Sequence, residues 1–237
     1  MNDQTIGEIV AQDYRTASVF KRYGIDFCCG GKRSVADACT EKGVDLATIE
    51  QELSELVQQP SALQMSYKDW AADFLTDYIV NRHHTYVRKA IPEITAYAEK
   101  VAKVHGKGHP ETLEIFYNWK ALASELESHM LKEENILFPY IKQLAKVDEN
   151  QVLTPPFETV QNPVNMMEME HEDAGDLMRK IRELSSDFTP PQDACTTYRV
   201  LFNLLEDFEN DLHEHVHIEN NVLFPKAIQI ENEFNVK

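Results

Sequence analysis

Two stretches of this sequence repeat each other around residues able to bind a cation. His129-Met-Leu-Lys-Glu133 and His215-Val-His-Ile-Glu219 both continue into a Leu-Phe-Pro triplet, ending at Pro139 and Pro225. The shared pattern is H-x3-E-x-N-x-L-F-P, with the copies 86 residues apart. Upstream, His84 precedes His171 by 87 residues, so each half supplies one histidine followed by an H-x3-E. On a helix, residues four apart share a face, about 6 Å along the axis and roughly 40° around it. Two helical hairpins related by a pseudo-twofold would aim four imidazoles and two carboxylates at one centre. Carboxylates buried together are costly unless cations neutralise them. A mixed imidazole and carboxylate set suits non-haem iron or manganese better than a soft metal. If Glu133 and Glu219 each bridge, each of two metals gains two histidines and two carboxylate oxygens. Positions then stay open for an oxygen bridge and a small ligand.

Other residues compete for these roles or support them. His213, Glu214 and His217 satisfy H-E-x-x-H, a zinc-protease pattern. His213 and His217 lie about 200° around the helix from His215, however, and only His215 keeps register with His129. His83 adjoins His84, and the 87-residue register favours His84. His105 and His109 sit in a Gly-rich stretch and are expected in solvent. Glu125 and Asp211, one turn before His129 and His215, are placed to accept the imidazoles' other N–H. Glu170, next to His171, is placed to line the approach. All three acids also fit an ordinary solvated helix face. Pro139 and Pro225 are expected to kink or end their helices, and Met166, Met167 and Met169 to pack in the core.

The elements that must position these groups read as long helices over roughly 69–104, 110–146, 162–186 and 193–232. Gly- and Pro-rich breaks separate them. Trp70, Phe74 and Tyr78, and then Phe116, Trp119, Leu122 and Leu126, recur at helical steps as core-facing stripes. Nothing alternates as a strand. The expected class is all-α: an antiparallel four-helix bundle over 67–235, joined by short loops. Before it, residues 1–60 read as a small helical domain with helices over 5–12, 14–23, 34–42 and 45–58. Gln59, Pro60 and Ser61 end this unit, and the stretch to Ser66 reads as a linker.

The chain has 237 residues, 23 Lys+Arg against 40 Asp+Glu, and a formal charge of −17. That balance argues against a nucleic acid or an anionic membrane as partner. A composition 43% hydrophobic and 27% charged is that of a folded globular protein. No basic, apolar leader opens the chain and no run approaches the roughly 20 apolar residues of a membrane span, so a cytoplasmic location is expected. The four cysteines, Cys28, Cys29, Cys39 and Cys195, are too few for a disulfide scaffold. A bridge between neighbours is strained, so Cys28 and Cys29 are not expected to pair with each other. Beside Gly30 and Gly31 they are expected to be exposed and flexible, whereas Cys39 and Cys195 are expected to be buried.

With Cys28-Cys29-Gly30-Gly31 ahead of His84, His129-x3-Glu133, His171 and His215-x3-Glu219, almost the whole chain resembles the RIC (repair of iron centres) family of di-iron proteins. These have a hemerythrin-like domain. The resemblance implies two non-haem irons with an oxo or hydroxo bridge. It carries over His84, His129, His171 and His215 as ligands, with Glu133 and Glu219 as bridges. It also implies a cytoplasmic role, under nitrosative and oxidative stress, in restoring iron–sulfur clusters. Damaged iron–sulfur proteins would be the partners, and nitric oxide or oxygen the small ligands. It favours Cys28 and Cys29 as a redox pair or client contact over a merely packed turn. Four histidines, against the five typical of an oxygen-carrying hemerythrin, argue against simple oxygen carriage. Iron donation, with Glu125 and Glu170 near an exit path, is the leading mechanism. The alternatives are nitric oxide reduction at the irons, or a binding module that senses oxygen or nitric oxide. No oligomeric state follows.

Overall fold

Helices begin where the chain supplies a cap. In the computed structural model, which describes residues 4–58, 65–146 and 157–235, Thr5 opens α1 (Ile6–Gln12). Its hydroxyl accepts from the Glu8 N–H while the Glu8 side chain accepts from the Thr5 N–H, a reciprocal capping box. After a short 3₁₀ turn comes α2 (Ala17–Arg22). Ser34 then caps α3 (Val35–Lys42), which ends at Gly43 in the left-handed region, φ 66°. α4 (Leu46–Gln58) completes this set. Most of the expected linker, up to residue 64, lies outside the described residues, as does most of the Pro-rich break before Phe157.

The four long segments are present, and three of them change pitch midway. α5 (Ala72–Ile79) passes through a π turn, Val80–His84, into α6 (Thr85–His105). α7 (Glu111–Lys132) passes through Glu133–Leu137 into α8 (Phe138–Leu144). α9 (Gln161–Leu184) is uninterrupted, and α10 (Thr196–Ile218) passes through Glu219–Leu223 into α11 (Phe224–Asn235). Pro139 and Pro225 therefore do not end their helices. Each lacks an N–H and would crowd the carbonyl four residues back, at Asn135 or Asn221. Both carbonyls lie within the π turns, where the wider loop relieves that crowding.

The chain packs as two units. One comprises 77–139 and 162–213; the other comprises 1–76, 140–161 and 214–237. The first is a four-helix bundle of α6, α7, α9 and most of α10. In its core the Trp119 indole N–H donates to the Thr95 hydroxyl at 2.9 Å, and its ring meets Phe208 edge-on at 4.8 Å. Leu122 and Leu126 are buried around it, and the Arg182 guanidinium on α9 clasps the buried Glu209 carboxylate on α10. The second unit buries Ile6, Phe20, Ile49, Leu53, Tyr67 and Phe224. Its buried Glu231 accepts from the Tyr140 hydroxyl and the Val160 N–H.

Among the described residues the one extended pairing is a bridge between Thr5 and Ser34, and no helix is long and apolar enough to cross a membrane. Two core expectations fail. Phe74 is 53% exposed, and Met166 and Met169 are exposed while Met167 is buried. At about 100° per residue, the neighbours of an inward-facing Met167 cannot also face inward.

Candidate metal centre

In the four-helix unit, His84 closes one π turn, Glu133 opens another, His129 stands one turn before Glu133, and His171 sits mid-way along α9. All four are at most 3% exposed. The Nε2 atoms of His84 and His129 each lie 3.3 Å from the same Glu133 oxygen, Oε2. His129 and His171 face each other through Nε2, 3.0 Å apart. Donors about 2 Å from a common ion are separated by roughly 3 Å. The spacing and chemistry of this donor set therefore fit a metal.

The other imidazole nitrogens indicate which tautomer is held. His129 Nδ1 lies 2.9 Å from Glu170, whose carboxylate also contacts the Lys132 ammonium. His84 Nδ1 lies 2.6 Å from Glu134, and Arg88 reaches both oxygens of that carboxylate at 2.7 Å. A carboxylate that takes the Nδ1 proton leaves the Nε2 lone pair directed inward, the arrangement of metal-bound histidines. The hydrogen bond from His129 lowers the Glu170 pKa to about 2 against partial desolvation, and Lys132 adds to that effect. Partial burial raises Glu134, but the bonds from His84 and Arg88 outweigh it and leave it lowered.

The acids one turn before each histidine do something else. Glu125 is exposed, and desolvation followed by repulsion from Asp173 and Glu170 raises its pKa. Asp211 receives His83 Nδ1 at 3.2 Å and Arg82 at 3.1 Å. An acid on the same helix runs alongside its histidine; the carboxylates that meet Nδ1 come from other segments, Glu170 on α9 for His129 and Glu134 in the Glu133–Leu137 π turn for His84. Glu170, expected at the approach, is the His129 partner. Glu134 was not singled out from the sequence. Its only signal is that the first copy reads Glu133-Glu134-Asn135 where the second reads Glu219-Asn220-Asn221.

In the other unit, His215 Nε2 lies 3.0 Å from Glu219 Oε1, both buried. Two residues on, the Asn221 amide donates to the carbonyls of Cys28 at 2.9 Å and Phe27 at 3.3 Å. Gly7 and Gly31 make room for it, since a Cβ on either would fall 2.2 or 2.4 Å from Asn221 Oδ1. His217 is buried against the rings of Tyr14 and Phe27, and burial pushes its pKa down to about 4. Glu214 accepts from the Tyr67 hydroxyl. The base and one histidine of the H-E-x-x-H pattern are thus occupied in packing.

The cysteine expectations are reversed at two positions. Cys28 is buried and its loop is pinned: Asp26 Oδ1 accepts from the Cys28 and Cys29 N–H groups at 2.9 and 3.1 Å. The Cys28 thiol is raised well above its ordinary pKa, first by its hydrogen bond with Cys29, then by burial and Asp26. Cys29 is half-buried, Cys39 is buried as expected, and Cys195 is exposed. His105 and His109, expected in solvent, are half-buried and partnered, His105 by Cys195 and His109 by Asp193 and Glu111.

Residues 75–227 match the hemerythrin HHE cation-binding domain, and residues 2–57 match a domain of unknown function, DUF542. The iron–sulfur cluster repair protein YtfE of Citrobacter koseri is 38% identical over 229 residues, covering 95% of this chain and 97% of that protein. The proteins of that name from Enterobacter sp. and Salmonella choleraesuis match at the same identity and coverage.

Proposed function

The chain belongs to the iron–sulfur cluster repair protein family, and from that premise we propose that it carries two non-haem irons and donates iron to damaged clusters. The ligands in this reading are His84, His129, Glu133, His171, His215 and Glu219. The observation that carries it is the convergence of two buried imidazoles on one Glu133 oxygen, both held at Nδ1 by carboxylates, with the buried His171 facing one of them through Nε2. The repeated H-x3-E-x-N-x-L-F-P pattern supplies His215 and Glu219 as counterparts of His129 and Glu133. Bound there, iron supplies a redox-active Lewis acid with affinity for nitric oxide and oxygen.

The rest is the work of the chain's own side chains. Glu134 and Glu170 hold the Nδ1 protons of His84 and His129 and fix both rings. Arg88 and Lys132 balance those carboxylates. Half-buried Glu170 adjoins exposed Glu125 and Asp173, so acids run from the imidazoles to solvent. Iron as cargo fits such a path, because carboxylates bind it more weakly than the buried set and hand it on. Client proteins with clusters damaged by nitric oxide or oxidants are the recipients. All four cysteines are free thiols, which fits the reducing cytoplasm.

The test is reactivation of a nitric oxide-damaged iron–sulfur enzyme by the full chain, with free iron held equal. The expected result is two irons per chain in the wild type, with iron and reactivation both lost in Glu133→Leu. Equal reactivation by Glu133→Leu would remove the site as donor. Nitrous oxide made in anaerobic turnover with an added reductant would assign the irons to nitric oxide reduction instead.

A further inference from the structure

Tyr67, Trp70 and Phe74 take no part in the iron chemistry, and all three belong to the unit that contains residues 1–76 and 214–237. Their rings run in contact from the surface inward. Phe74 is 53% exposed and meets the half-buried Trp70 with centroids 5.1 Å apart. Trp70 meets the fully buried Tyr67 edge-on at 5.0 Å. The Tyr67 hydroxyl in turn donates to Glu214 Oε1. We propose that Trp70 and Tyr67 form a one-electron redox relay, in which the outer indole is oxidised first and the buried phenol takes over the oxidising equivalent.

Local structure builds this pair. Tyr67–Asp69 is a 3₁₀ turn, and the Trp70 N–H donates to the Tyr67 carbonyl at 3.1 Å. With three residues per turn, side chains at i and i+3 stand one above the other, which sets the indole against the phenol. The Lys226 ammonium fixes the outer end by donating to the Trp70 carbonyl at 2.8 Å. Ring packing alone asks for no more than this. A buried phenol also needs an acceptor, but a neutral one would satisfy it, and a carboxylate costs more to desolvate. What a carboxylate adds is a base aimed at the phenol proton.

The reaction balances within these groups and one external oxidant. A small one-electron oxidant, the class to which nitrogen dioxide belongs, takes an electron from Trp70 and leaves as its anion, here nitrite. The indole radical cation then takes an electron from Tyr67, whose O–H bond breaks as the proton passes to Glu214. The products are nitrite, neutral Trp70, a Tyr67 phenoxyl radical and protonated Glu214. The proton sets the direction, because a phenol that gives up its proton with its electron is easier to oxidise than an indole. Burial then keeps the phenoxyl from coupling with a second radical in solvent. The other tryptophan, Trp119, is fully buried and donates only to the Thr95 hydroxyl, so it offers neither the access nor the base.

The experiment oxidises the iron-loaded full chain with azide radicals, which select indoles, made by pulse radiolysis without oxygen. The tryptophan radical band should form at once. It should then decay in a first-order step, independent of protein concentration, as the tyrosyl band grows. Trp70→Phe should remove the first band. Tyr67→Phe, which keeps the ring, should abolish the growth with helicity and iron content unchanged. Glu214→Gln should slow the growth roughly 100-fold, as expected for loss of a positioned base. Tyr14→Phe, whose ring packs 5.8 Å from Tyr67, should leave the rate at its wild-type value. A tryptophan band that survives Trp70→Phe, or tyrosyl growth that survives Tyr67→Phe, would overturn the relay. So would growth that is lost in Tyr14→Phe, that keeps its rate in Glu214→Gln, or that scales with protein concentration.

Discussion

The two copies of the H-x3-E-x-N-x-L-F-P segment hold the same backbone and differ in what covers them. Each opens a π turn at its glutamate and resumes an α-helix one residue before its proline. In the first copy the outer face is bare: Leu131 is 56% and Ile136 51% exposed, and the Asn135 amide donates back to the Leu131 carbonyl of its own helix. In the second copy the equivalent residues, His217 and Val222, are buried, and the Asn221 amide donates instead to the Cys28 and Phe27 carbonyls. The π turn and its leading carboxylate are common to both copies, whereas the outer face follows its cover. Where the N-terminal chain packs, the same asparagine becomes an anchor for the cysteine loop, two residues from Glu219.

The largest effect should come from the carboxylates, and it asks whether the copies are equal in metal binding. Glu133→Ala should reduce bound iron from two to less than one per chain, because Glu133 faces two imidazoles. Glu219→Ala should do the same if both glutamates bridge. Iron analysis of each variant checks this, and loss with Glu133 but not Glu219 would break the symmetry that the repeat implies. Next in size is the pair of carboxylates behind the histidines. Glu170→Gln and Glu134→Gln should each weaken iron about 10–100-fold in chelator competition, with helicity unchanged. An Asn220→Glu substitution, which gives the second copy the residue of the first, should bring no matching gain, since its position is only 5% exposed.

How far this was legible in the sequence depends on what kind of information each feature needs. The helices, their order and the paired H-x3-E segments follow from periodicity and spacing along one chain. The π turns do not, because over five residues α and π windings place side chains similarly; only Pro139 and Pro225 hint that the hydrogen-bond ladder must change. The acids behind the histidines were misplaced because Glu125 and Asp211 have the right spacing along a helix, while Glu170 reaches His129 across two helices. Register between helices is not written in local spacing. Cys28 looked like an exposed loop thiol because its burial depends on Asn221, 193 residues away. Cys195 looked like core for the opposite reason: its neighbours in the chain are small, and nothing local marks it as the partner of His105.

Intermediate effects test the anchor itself. Asn221→Ala should cost about 1–3 kcal/mol in urea unfolding, since it leaves buried carbonyls of the cysteine loop without their donor. It should also speed alkylation of Cys28, which is buried in the intact loop. Gly31→Ala should cost a similar amount by forcing its Cβ against Asn221. The two changes should be non-additive. In the Asn221→Ala background most of the Gly31→Ala penalty should vanish, a coupling of about 0.5–3 kcal/mol. Additive costs would show that Gly31 is needed for its own turn and that the close approach to Asn221 is incidental.

The smallest effect is the control that gives the comparison its meaning. Asn135 occupies the same place in the motif as Asn221, and its amide bonds a carbonyl four residues back on an exposed helix face. Water can replace that bond, so Asn135→Ala should change stability by no more than about 0.5 kcal/mol. Cys28 alkylation and iron content should stay at wild-type values. If Asn135→Ala instead costs as much as Asn221→Ala, the asparagine serves the π turn in both copies. The hold on the cysteine loop would then be a by-product of a helix requirement and no longer a feature that sets the second copy apart.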